Sequence, residues 1–439
     1  MTEDSSYLWI KERLFFKVFT SVLSKIMTVY SVEDIEKKFN NIISNFPIVD
    51  THNDFPYNLR VQLHNEFETT KEFNFDSLLT THTDLVKMKE GKIGVQFFSC
   101  WIECKDDDMF YQDFDQPNNI VRDTLEQIDV VKRLVDEYSH SFKFVHTVNE
   151  ALASYRASGN KKISITLGIE GLHQVDLFLA VVRQYYDLGV RYITLTHNCD
   201  NPFATAASSV TGGLPDKGLT DYGKDCIREM NRLGMIVNLS HVSHKTMLDV
   251  LKVTKAPVLF SHSSVYSLTK HGRNVKDDVL KLVKENGGVV CINFFPLFLK
   301  QEGHDEVTID DAVAHIKYIV DLIGWDHVGF GSDFDGIPQG PVGLEDVSKY
   351  PDLIKKVWEA TGATEEDIVK MMGMNVLRVW KECEIVSGRM KNKVKPVESN
   401  WDQRKWIFYE YCREFPEIFP GAYKIKEKEN VFKDTQKLF

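Results

Sequence analysis

Pro47-Ile48-Val49-Asp50-Thr51-His52-Asn53-Asp54 is an apolar run closed by two candidate metal ligands two residues apart. Read as a β-strand, its period of two puts the His52 and Asp54 side chains on one side, at the strand's C-terminal end. An imidazole nitrogen beside a carboxylate oxygen suits a divalent ion such as zinc. A single pair of this kind also fits a plainer role, in which Asp54 caps the helix that follows. The choice between the two depends on how the later strands end.

Outward from this stretch, short β-like runs recur, separated by segments of helical periodicity. The runs cover 93–99, 163–170, 191–197, 235–241, 258–262, 288–294 and 327–333. Helical patterns fall at about 79–89, 118–138, 175–188, 221–233 and 309–323; Gly189, Gly234 and Gly324 stop three of them, and Ser243 reads as the N-cap of another. Eight strands with crossover helices make an α/β fold of the (β/α)8 barrel type, with additional C-terminal helices packed outside; a doubly wound open sheet is the competing architecture. The chain then divides into an amphipathic helical extension (1–34), a barrel domain (35–390) and a helical or irregular C-terminal extension packed on the barrel (391–439).

Composition narrows the function. In 439 residues, 43% hydrophobic and 27% charged, there is apolar material for a large core. A formal net charge of -11 lacks the basic excess that a nucleic-acid surface needs. Residues 7–30 are apolar but interrupted by Lys11, Glu12, Arg13, Lys17 and Lys25, which reads as an amphipathic helix rather than a signal or a span; Met27 offers an alternative start. The polar C-terminus is no lipid-anchor signal, so no transmembrane or lipid anchor is expected. Seven cysteines without a C-x-x-C pair do not form a disulfide scaffold or a structural zinc site, and the one N-x-S/T acceptor, Asn238-Leu239-Ser240, lies in an apolar run. The expected compartment is the cytoplasm, with secretion or membrane association as alternatives.

In a barrel the chemistry sits at the C-terminal strand ends. Those ends carry His52 and Asp54, Glu170, His197, His241, His262 and Asp333. One histidine is more often a hydrogen-bonded turn or core residue than a ligand, but four at four strand ends form a pattern. Seven groups exceed one four-coordinate ion and suit two ions that share a carboxylate. Glu170 is the natural bridge, because its two oxygens can serve both ions; His52 and Asp54 then hold one, His241 and His262 the other. A water between ions about 3.5 Å apart becomes a hydroxide nucleophile near neutral pH, with Asp333 handling its proton.

The strings Asp50-Thr51-His52-Asn53-Asp54, Gly168-Ile169-Glu170-Gly171, Thr194-Leu195-Thr196-His197, Leu239-Ser240-His241-Val242-Ser243, Phe260-Ser261-His262-Ser263-Ser264 and Gly329-Phe330-Gly331-Ser332-Asp333-Phe334-Asp335-Gly336 resemble, in order, the membrane (renal) dipeptidase family of zinc peptidases. The likeness covers roughly residues 35 to 385 and includes Asn231-Arg232-Leu233-Gly234 and Arg273-Asn274-Val275. It implies a dipeptidase with two zinc ions per chain held by His52, Asp54, Glu170, His241 and His262, Glu170 bridging. It further implies that His197 contacts the scissile carbonyl oxygen, that Arg273 pairs with the substrate's terminal carboxylate, and that Asp333 protonates the leaving amine. A surface ion pair is the plainer reading of Arg273, and Asp335 is the alternative to Asp333. Cys104 and Cys199 align with a pair that animal members join, while a second pair is replaced at Thr269 and beyond; the resemblance also implies a homodimer. The rival functions are a related metal-dependent amidohydrolase acting on another small amide, and a non-catalytic binding protein on the same fold.

Overall fold

Nine parallel strands form one sheet: β1 (Ile48–Asn53), β2 (Ile93–Cys100), β3 (Phe142–Phe144), β4 (Ile163–Glu170), β5 (Val190–Thr194), β6 (Ile236–Asn238), β7 (Leu259–Phe260), β8 (Val289–Ile292) and β9 (Val328–Phe330). The computed structural model describes residues 31–104 and 118–401 apart from 160, 302 and 304–305, then 404, 406–409, 419, 421 and 430–433. Eight of the strands close a barrel in the order β1-β2-β4-β5-β6-β7-β8-β9. β2 pairs with β4 from Val95 opposite Ser164 to Cys100 opposite Ile169, and β1 meets β9 at Asp50 and Phe330. The expected (β/α)8 barrel is therefore the fold, and the open sheet is excluded. The ninth strand, β3, was not expected; it borders only the first residues of β4, Ile163 to Ile165.

The eight barrel strands are buried along their whole length because each faces the barrel interior on one side and helices on the other, which is why they read as continuous apolar runs. Two apolar shells result. The inner one contains Val49, Val95, Phe97, Tyr192, Ile236, Leu259, Val289 and Cys291, and helix Asn375–Met390 closes its base with Val376 and Trp380. The outer one joins the other strand faces to the surrounding helices.

Helices Asp221–Leu233 and Ile309–Ile323 have the expected bounds. Thr220 caps the first and the left-handed Gly234 ends it; a Thr308–Asp311 capping box opens the second. Ser243 caps His244–Val253 by accepting from the Thr246 amide. Two expectations need correction. The pattern at 175–188 splits into a 3-10 turn, Leu172–Val175, and a helix, Leu179–Asp187, because Asp176 has a left-handed φ of 53°. The one at 79–89 is helical only over Leu85–Glu90, where Asp84 supplies the cap that sets the start.

The expected N-terminal amphipathic helix lies outside the described residues, as does the acidic run Lys105-Asp106-Asp107-Asp108. Beyond residue 390, Val397 is buried and its amide donates to Glu229, while Trp406–Tyr409 and Asn430–Lys433 pair as parallel strands β10 and β11. No helix among the described residues is long and apolar enough to cross a membrane.

Candidate active site

His52 and Glu170 lie within β1 and β4, whereas four other ladders stop short of the predicted site residues. β5 ends at Thr194, β6 at Asn238, β7 at Phe260 and β9 at Phe330, so His197, His241, His262 and Asp333 stand on the turns beyond, at the barrel's mouth. Backbone conformations there are costly: His241, Asp333 and Asp335 have φ of 67°, 65° and 66°, a region that side chains other than glycine seldom occupy. The β1–β2 ladder shifts register between Asp50 and Asn53, and both Thr51 and His52 reach partners inside the barrel. Close packing fixes these turns. A Cβ on Gly331 would fall 1.6 Å from the Ser261 carbonyl oxygen, so only glycine lets the strand ends approach this closely.

The strand-end groups converge. His52 Nε2 lies 3.3 Å from Asp54 Oδ2, 3.4 Å from Glu170 Oε1 and 3.9 Å from Asp333 Oδ1. Glu170 Oε1 is also 2.9 Å from His241 Nε2 and 3.2 Å from His262 Nε2. Glu170 is thus common to two donor groups, His52–Asp54–Glu170 and Glu170–His241–His262, while a third group, His52–His262–Asp333, overlaps both. His197 stands beside them, its ring centroid 4.4 Å from that of His241.

Two of the imidazoles are aimed by hydroxyl groups behind them. His52 Nδ1 is 2.8 Å from the Tyr192 hydroxyl and His262 Nδ1 is 2.8 Å from the Ser261 hydroxyl; Ser261 in turn accepts from Asn238 Nδ2 at 2.6 Å. Both arrangements leave Nε2 facing the common space. Asn293 Nδ2 donates to Asp333 Oδ2 at 2.7 Å. Asp335, by contrast, accepts from the His82 amide at 2.9 Å and from Asn58 at 3.2 Å.

Electrostatics describes a site built for cations. Burial pushes Asp54 up to about 7 and holds His262 and His197 down near 4, so both imidazoles are neutral at pH 7. Burial, Arg273 and His197 together hold His241 well below its usual value. Burial opposes ionisation of Glu170, but His52, His197 and His241 hold its carboxyl well below the usual range. Asp54 Oδ1 and Oδ2, His52 Nε2 and His241 Nδ1 are buried without a hydrogen-bond partner. Burial opposes protonation of His52, but Tyr192, Asp54 and Glu170 raise it well above its usual value, so its position draws positive charge; with the neutral lone pairs of His241 and His262 and the orphaned oxygens of Asp54 pointed at the same space, these residues fit a metal centre.

The plainer alternatives find no support. Asp54 is at the N-cap of helix Phe55–Leu63 but makes no side-chain capping bond. Arg273 is 6% exposed, its Nη1 and Nη2 have no partner among the described residues, and its guanidinium lies 5.3 Å from the Phe298 ring. Arg273, His197, Glu170 and Asp333 line one cleft of about 750 Å³, with Tyr57, Trp101 and Phe298 as its aromatic walls. Those rings, together with Tyr192, Ser261 and Asn293, were missed from sequence. Cys104 is bonded to Cys199, tying the segment after β2 to the one after β5.

A parallel barrel with histidines and carboxylates gathered at its mouth belongs to the metal-dependent hydrolases. Within that class the assignment is specific: residues 36–394 match the membrane dipeptidase family, peptidase family M19, and the chain belongs to it. Membership makes it a metallopeptidase, a hydrolase of dipeptides. An uncharacterized dipeptidase of Schizosaccharomyces pombe is 62% identical over 403 residues, 92% of this chain and 96% of the relative. A second from the same organism is 43% identical over 353 residues, 80% of this chain and 84% of the relative. Among solved structures, a metallo peptidase from Rhodobacter sphaeroides, liganded with a phosphinate mimic of the dipeptide L-Ala-D-Ala, is 26% identical with a TM-score of 0.66. That match covers 77% of this chain and 99% of the relative.

Proposed function

We propose that the mouth of the barrel holds two zinc ions and hydrolyses the single peptide bond of a dipeptide. His52 and Asp54 would hold one ion, His241 and His262 the other, and Glu170 would serve both. The observation that carries this reading is the membership of Glu170 in both donor groups. When bound, the two ions supply Lewis acidity and lower the pKa of a water so that it can attack at neutral pH.

The chain's own residues do the rest. The unpartnered Arg273 fork pairs with the terminal carboxylate and sets the register of the substrate. His197, neutral at pH 7, donates to the carbonyl oxygen as negative charge gathers there. Asp333, oriented by Asn293, takes a proton from the attacking water and returns it to the amine nitrogen as the C–N bond breaks. Asp335 is tied to the His82 amide and Asn58, which favours Asp333 for this role. Charged partners close to both ends of the substrate would restrict it to dipeptides.

The test is metal content together with hydrolysis of several dipeptides, repeated on Glu170→Gln. About two zinc ions per chain in the parent and loss of most activity in the variant are expected. Unchanged turnover in the variant would refute the bridging role. A homodimer is part of the same reading, and sedimentation at the monomer mass of 50.6 kDa would count against it. The Cys104–Cys199 bond weighs against the cytoplasmic expectation, because thiols in that compartment are kept reduced.

A further inference from the structure

Two walls of the cleft differ in chemistry. Arg273 comes from the segment after β7 and Trp101 from the residues directly after β2. In the closed order β1-β2-β4-β5-β6-β7-β8-β9, β2 and β7 are four strands apart in either direction, so they face each other across the mouth. A dipeptide whose carboxylate is held at Arg273 therefore directs its amino-terminal residue toward the β2 side.

That side is a short aromatic stack ending in a carboxylate. The Trp101 ring lies edge-on to His197, with centroids 5.1 Å apart, and the Tyr57 ring lies edge-on to Trp101 at 4.6 Å. The Tyr57 hydroxyl donates to Glu103, which is exposed and has no cationic partner among the described residues. Arg60, the cation on the same helix as Tyr57, is engaged by Asp123 at 3.1 Å and Glu126 at 2.9 Å. Glu103 is thus separated from the reacting centre by the depth of the aromatic stack. The substrate's α-amine, attached next to the scissile carbonyl, cannot span that distance, but a side chain of four or more bonds can.

We infer that Glu103, with the rings of Tyr57 and Trp101, is the specificity-determining subsite for the amino-terminal residue of the substrate. It favours a long, positively charged side chain, as in a lysyl or arginyl dipeptide. The aromatic faces take the aliphatic stem and attract the cation, and the carboxylate pairs with its head group. The inference rests on the dipeptidase reading of the site.

The test is kcat/KM of the zinc-loaded enzyme for Lys-Ala, Arg-Ala, Ala-Ala, Glu-Ala and diaminobutyryl-Ala, the last carrying a side-chain ammonium on a short stem. Lys-Ala and Arg-Ala should exceed Ala-Ala by roughly three- to tenfold, the scale of an exposed ion pair with a cation over a ring. Diaminobutyryl-Ala should show no such advantage. In Glu103→Gln the Lys-Ala to Ala-Ala ratio should fall toward one, and in Glu103→Lys it should drop below one while Glu-Ala gains. Each ratio is internal to one protein, so lower stability of a variant does not imitate it. Turnover of Lys-Ala no faster than Ala-Ala in the parent, or a ratio that survives in Glu103→Gln, overturns the inference and leaves the dipeptidase reading standing. No turnover of any dipeptide overturns that reading, and the subsite with it.

Discussion

Tyr192→Phe removes one oxygen from the floor of the site. That hydroxyl is the partner of His52 Nδ1 at 2.8 Å, and both residues are fully buried. The space cannot be refilled, because a Cβ on the neighbouring Gly168 would already lie 2.0 Å from Tyr192 Cζ; the ring is packed against backbone, and a void of one oxygen is too small for water. His52 Nδ1 is then a buried polar atom without a partner, at a cost of about 1–3 kcal/mol of folding free energy. The ring also loses the contact that aims Nε2 at the common space, and partners of that kind typically change metal affinity by about 10–100-fold. Denaturant unfolding of the metal-free protein measures the first effect, and zinc competition against a chromogenic chelator measures the second. Unchanged stability and unchanged affinity together would mean that Tyr192 does not orient His52.

Arg273→Met keeps the aliphatic stem over Phe298 and removes a buried guanidinium that has no partner, so kcat/KM should fall by about 100-fold or more while thermal stability holds or rises. A loss of stability matching the loss of activity would assign Arg273 a structural role. Cys104→Ser opens a bond between residues 95 apart and should cost about 2–5 kcal/mol in denaturant unfolding, as should reduction of the parent; an unmoved midpoint on reduction refutes this. His315 is buried, close to the Val265 amide and the Leu299 carbonyl at 2.9 Å each, and burial lowers its pKa from 6.5 to about 4. As pH falls, the unfolded chain takes up this proton first. The stability that neutral His315 provides is therefore complete above the unfolded value and is lost on descending through the window between the two. From pH 7 to pH 5 the parent should lose about 2 kcal/mol more than His315→Gln, and equal losses would exclude the linkage.

The strands were legible because a parallel barrel buries both faces of each, which writes continuous apolar runs into the chain; β3, three residues long, leaves no such run. The candidate donor groups that the structure brings together were legible from residue type at the strand ends. The exact termini were not, because His241 and Asp333 leave the ladder through left-handed conformations held by packing rather than by local preference. Nor could the sequence reveal that Tyr192 supports His52, a contact across 140 positions, or that Tyr57 hands its hydroxyl to Glu103 across 46.

From the amino acids alone came the set of donor groups, their order along the chain and the barrel that brings such groups to one rim. The tertiary structure decided that Glu170 is shared between two donor groups, that Arg273 is buried without a hydrogen-bond partner among the described residues rather than paired at the surface, and that it shares one cleft with the rings of Tyr57, Trp101 and Phe298. The physical reason is one of range. Hydrophobic periodicity acts over a few residues and fixes elements, whereas a metal-sized space is set by sub-ångström distances among side chains carried on separate strands.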